Sequence, residues 1–190
     1  MRRSIAGPFT RDLCALQFVV LALVGFALLT VACSGESAAE VSVLEAPDDG
    51  AKHIAPGESH PPYSTVPATS GPHWSTPPVA GAPLGGPVRW GIYNEPIADE
   101  ALVHNLEHGG IGLHYDCPSG CPDVISRLRK LVPANSSQFV MSPYPKMQSR
   151  IAITAWRRVM YMDDVDEAKI RGFITAFKDK APESVKGNLF

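Results

Sequence analysis

The chain predicts an α+β fold: a small, mostly antiparallel sheet of three to five strands, two or three packed helices, and long Pro/Gly-rich loops. Three observations lead there. Proline (18) and glycine (16) are abundant for 190 residues, which imposes many turns and irregular segments. Residues 151–162 are dense in β-branched and aromatic side chains, the strongest strand signal in the sequence. Residues 122–131 and 164–178 repeat apolar side chains at three- and four-residue spacing, the period of an amphipathic helix.

The N-terminus comes first. Arg2, Arg3 and Arg11 precede an uncharged apolar run at 18–31 that ends in Leu29-Thr30-Val31-Ala32-Cys33. This reads as a lipoprotein-type signal peptide over residues 1–32, with lipidation of Cys33 and attachment to a membrane through that lipid. The apolar run is shorter than the ~20 residues of a spanning helix. Localisation is therefore expected to be extracytoplasmic, in the cell envelope. Loss of Arg2, Arg3, Arg11 and Asp12 takes the formal net charge from −2 to −4. No basic face is left to serve nucleic acid. Residues 33–57, poor in large apolar side chains, read as a flexible tether. Residues 58–190 read as a single domain, long enough for one core.

Within the domain, residues 60–74 carry four prolines, which fix their own φ and restrict the residue before them, so a stiff non-helical loop is expected around His73. Residues 87–93 suggest a short strand. Residues 96–108 suggest a helix with Asp99 and Glu100 in its first turn and Gly109-Gly110 as its stop. Residues 111–115 read as a strand, 122–131 as a helix ended by Pro133, 138–142 as a strand, and 151–162 as one long strand. The final helix, 164–178, has an apolar stripe of Val165, Ala168, Ile170, Phe173, Ile174 and Phe177.

The chemistry is concentrated in Leu102-Val103-His104-Asn105-Leu106-Glu107-His108-Gly109-Gly110. On a helix, His104 and His108 fall one turn apart on one face with Glu107 beside them. Four of the six histidines (His73, His104, His108 and His114) lie between positions 73 and 114. Neutral imidazole is the commonest protein metal ligand, so the expectation is a transition-metal site at His73, His104 and His108. Glu107 is a ligand, an orienting group or a base, and His114 and Met141 are candidate fourth ligands. Nearby Met and Cys in an exported protein favour copper over zinc. His53 and His60 lie in or beside the tether and are not assigned to the site.

Two other readings stay open. His104-Asn105-Leu106-Glu107-His108 fits the H-x-x-E-H pattern of inverted zinc proteases, with Glu107 as the catalytic base of a hydrolase. Against it, the helix ends at once at Gly109-Gly110, and no nucleophile-elbow serine or phosphate-cradling loop is visible, so the pattern leans away from an enzyme. Alternatively the histidines are structural and the domain is a metal-free interaction module. Cys117 and Cys121, four residues apart in an exported chain, suit a disulfide; a metal or redox dithiol is the other reading.

Taken as a set, Thr69-Ser70-Gly71-Pro72-His73, residues 103–109 (Val-His-Asn-Leu-Glu-His-Gly), Ser142-Pro143-Tyr144-Pro145 and Thr154-Ala155-Trp156 resemble, in this order, the uncharacterised bacterial family DUF3105. The resemblance spans about residues 63–177. It implies an exported or membrane-tethered protein and carries no activity with it.

Overall fold

Ile111, Leu113 and Tyr115 alternate with Gly112 and His114, and a strand sends these two sets to opposite faces. The computed structural model describes residues 42–76 and 85–186. In chain order its elements are β1 (Val43–Glu45), β2 (His53–Ile54), β3 (His73–Trp74), β4 (Gly91–Ile92), α1 (Asp99–Glu107), β5 (Ile111–Tyr115), α2 (Pro122–Arg129), β6 (Phe139–Pro143), β7 (Ile151–Ala155), β8 (Arg158–Met162) and α3 (Glu167–Phe177). The stretch read as a signal peptide, residues 1–32, and Cys33 lie outside the described residues, and among the described residues no helix is long and apolar enough to cross a membrane.

The fold is α+β, but the sheet is larger than expected and mixed. Six strands run in the order β1-β8-β7-β5-β6-β4, and β2 with β3 forms a separate two-stranded sheet. β5 pairs antiparallel with β7, whereas β6 is parallel to both β5 and β4. The reason is connectivity. α2 lies between β5 and β6, and a strand–helix–strand crossover returns the chain in the same direction, where a hairpin would reverse it.

Two further expectations are corrected. The stretch read as one strand over 151–162 is a hairpin, β7 and β8, turning at Trp156-Arg157. That turn contains no Gly or Asn. Arg157 takes the left-handed conformation (φ 56°), held by its N–H on Thr69 C=O (2.9 Å) and its C=O on Ala46 N–H (3.0 Å). The stretch read as tether is structured from β1 onward: β1 pairs antiparallel with β8, Val43 opposite Met160, and β2 pairs with β3.

One face of the sheet carries Ile111, Leu113, Tyr115, Phe139, Met141, Ile151, Ile153 and Ala155, all buried against Val124 and Leu128 of α2 and Ile170 and Phe173 of α3. Each such large side chain contributes about 1.5–3 kcal/mol when removed from water. α1 is enclosed in a different way. Every residue from Ala101 to Glu107 is buried, so it has no polar face to give to solvent. Asn105 is satisfied by Val88, donating to its C=O (2.8 Å) and accepting from its N–H (2.9 Å). Tyr144 donates to the Asp99 carboxylate (2.8 and 2.9 Å), tying the first turn of α1 to the end of β6. Gly109 stops the helix with φ 82°, a conformation that side chains resist.

Candidate metal centre

α1 buries His104 and Glu107 in its last turn, three residues apart and therefore neighbours on the helix surface. β3 presents His73 to them, and the β2–β3 pairing sets His53 directly opposite His73. One candidate ligand atom from each of His53, His73, His104 and Glu107 lies within 4.8 Å of all the others. His73, His104 and Glu107 are buried; His53 is exposed. This is a buried His/Glu cluster that can hold a metal ion.

The hydrogen bonds define which nitrogens face inward. His73 Nδ1 meets Gly71 C=O at 2.8 Å and His104 Nδ1 meets Trp74 C=O at 2.5 Å. A carbonyl only accepts, so both Nδ1 atoms carry the proton, and in the neutral rings both Nε2 atoms present a lone pair. Each of these two rings is thus oriented by a backbone oxygen, the support that a metal-bound imidazole usually has. His73 Nε2 stands 2.9 Å from Glu107 Oε2, and His53 Nε2 stands 3.5 Å from the same oxygen. These spacings bracket the ~3.3 Å edge of a tetrahedron with 2.0–2.1 Å bonds.

His73 Nε2 and Glu107 Oε2 are both buried and, despite their closeness, neither has a hydrogen-bond partner of good geometry among the described residues. An imidazole nitrogen and a carboxylate oxygen this close in a buried site call for a positive charge between them, a proton or a metal ion. Burial pushes the Glu107 carboxyl up, but the surrounding His73, His53 and His104 rings outweigh it and leave it below the ordinary carboxylate range. Burial pushes His104 down to about 4, with the neighbouring His73 and His108 adding to the effect. At neutral pH His104 is therefore a neutral imidazole, the form that binds metal.

The other candidate ligands lie elsewhere. His108 caps α1; its Nδ1 donates to Glu183 C=O (2.9 Å) and its ring stacks on His104 (centroids 4.7 Å), outside the four-group cluster. His114 is buried in β5, with Nδ1 3.2 Å from Ser142 Oγ and Nε2 3.2 Å from Thr154 Oγ1. Met141 is on the opposite face of the sheet, in the core under α2 and α3. Cys117 and Cys121 lie at disulfide distance, Cα–Cα 5.7 Å. Trp156 stands edge-on to His73 at 6.5 Å, a wall rather than a ligand.

His53 is the site residue that the sequence reading passed over. A signal was present: Ile54 is followed by Pro56-Gly57, a strand-then-turn pattern, and Glu58 N–H indeed closes that turn on Ala55 C=O (3.0 Å).

Fold and site together define an α+β domain with a three-histidine, one-carboxylate cluster at the junction of its helix and its minor sheet. Residues 53–188 match the family model described as "Protein of unknown function (DUF3105)", and the chain belongs to that family. The match begins at His53. No curated protein and no solved structure gives a significant match.

Proposed function

We propose that this protein is a lipid-anchored, extracytoplasmic metal-binding domain whose centre is His53, His73, His104 and Glu107. One observation carries the reading: the buried pair of lone-pair atoms, His73 Nε2 and Glu107 Oε2, 2.9 Å apart and without hydrogen-bond partners. A divalent cation between them satisfies both. The donor set is three nitrogens and one oxygen, which suits zinc or copper(II). Soft sulfur donors do not add to the preference for copper, since Met141 is in the core and Cys117 and Cys121 lie against each other. The intrinsic affinity order still favours copper(II) over zinc. Cys33 lipidation and export are supported by the N-terminal sequence and by a cysteine pair suited to an oxidising compartment.

The H-x-x-E-H hydrolase reading needs His104 and His108 as ligands with Glu107 free as base. Glu107 lies among the ligand atoms and His108 outside them, so that division of labour lacks support. The test is elemental analysis of the full-length chain exported to the envelope, with His73→Ala and Glu107→Gln beside it. About one equivalent of Cu or Zn in the parent, lost in both variants, is the expected result, and the element found names the metal. No metal, with none taken up on titration, moves the assignment to the metal-free interaction module. Labelling with a radioactive fatty acid, lost on Cys33→Ala, tests the anchor.

A further inference from the structure

The four groups of the cluster are not equivalent. The His73 and Glu107 side chains are 0% and 3% exposed, and the His53 side chain is 46% exposed. His73 and His104 are each locked by a backbone carbonyl. Among the described residues no carbonyl meets the His53 ring, whose polar neighbour is Glu107 alone. Its remaining contacts are ring against ring, stacked on His104 (5.3 Å) and edge-on to His73 (4.8 Å). Its strand is two residues long and pairs with a strand of the same length. The buried three are held on α1 and β3, whereas His53 is held on a short segment that leads back toward the proposed anchor.

We propose that His53 is a replaceable ligand, and that its position is where a small monodentate Lewis base, such as water or an inorganic anion, gains access to the metal. This rests on the metal-binding reading above. His73, His104 and Glu107 form the fixed three-ligand base, the arrangement that leaves one coordination position to exchange. The solvent-facing side of the centre is the side His53 occupies, so the ion enters and leaves past it. The Gly71 and Trp74 carbonyls that hold the His73 and His104 rings do not touch the His53 ring, so that hold remains when His53 swings away. The exchange balances in electron pairs: the His53 nitrogen leaves the metal with its lone pair, and the incoming base supplies the pair that replaces it.

The experiment uses cobalt(II) as the metal and azide as the exogenous base, on the full-length chain in detergent. His53→Ala is compared with the parent, and His53→Gln serves as a second variant should the alanine protein not fold. Expected is one equivalent of Co in both proteins. In the variant, a chelator removes Co faster by at least the roughly 10–100-fold that loss of an outer-shell partner costs in affinity. Azide shifts the visible Co spectrum of the variant at concentrations that leave the parent unchanged. Equal removal rates and equal spectra overturn the inference, as does complete loss of Co from both variants, which makes His53 an obligate ligand. Both failures leave the metal centre standing. A parent that binds no Co retires the centre itself and this inference with it.

Discussion

His114 shows how a histidine inside a candidate cluster in sequence becomes something else in space. It is 1% exposed, and burial holds its ring down to about 3. The folded protein therefore refuses a proton that the unfolded chain accepts near 6.5. Stability is full above that ordinary value and falls as pH drops below it, the loss continuing down to the folded value near 3. At pH 5 the difference is about 1.5 pH units, or ~2 kcal/mol. Urea unfolding of the chelator-treated protein should show this loss between pH 7.5 and pH 5, and His114→Gln should reduce it by about that amount. An unchanged loss in the variant would remove His114 as the cause. His104, held down to about 4 mainly by burial, keeps part of the acid sensitivity in the variant. Residue types and their bunching were legible in the sequence: His73, His104 and Glu107 do come together. Which histidines share a site was not, because His114 and Met141 are separated by the alternation of strands whose register only the paired structure fixes.

At the scale of elements, β5 and its neighbours depend on a missing side chain. Gly112 lies in the middle of β5, and a Cβ there would run into His114 Nε2 and Thr154 Oγ1. The His114 ring folds back over this gap toward β7, so the strand accepts an inward histidine only because its neighbour but one is glycine. Gly112→Ala should destabilise the protein by about 1–3 kcal/mol through overpacking, read as a lower midpoint in urea at unchanged slope. Wild-type stability in that variant would show that the ring has room to move elsewhere. Longer elements were legible in outline. β5 falls at 111–115 as the alternation predicted, α1 stops at Gly109, and α2 and α3 fall within the predicted helices with slightly shorter ends. The short ones were not. β1, β2 and β3 are two or three residues long, too short for a period to show, and their pairing is set by partners distant in sequence. The β7–β8 turn hid because a left-handed arginine, fixed by Thr69 and Ala46, replaces the usual glycine.

For the molecule as a whole, the cluster joins parts of the chain that the backbone connects only loosely. His53, His73 and the His104–Glu107 pair come from β2, β3 and α1. Apart from the pairing of β2 with β3, the β2 segment is tied to its neighbours by few backbone hydrogen bonds, among them Gly71 N–H to Gly50 C=O (2.7 Å) and His73 N–H to Lys52 C=O (2.9 Å). A metal ligated by all three elements is a cross-link across more than fifty residues of sequence, and one that binds only the native state must stabilise it. At free metal one hundred times above the dissociation constant the gain is ~2.7 kcal/mol. It should not be spread evenly. The core under α2 and α3 is already buried, whereas two-residue strands open with little cost. Hydrogen exchange of the full-length chain should therefore show added protection on metal binding at residues 50–56 and 71–76 and in the last turn of α1, with β7, β8 and α3 little changed. Uniform protection across the sheet would mean that the ion stabilises the fold globally. No protection anywhere, at saturating metal, would mean that these histidines never close around an ion, and the unpartnered His73–Glu107 contact would then be a structural pair sharing a proton.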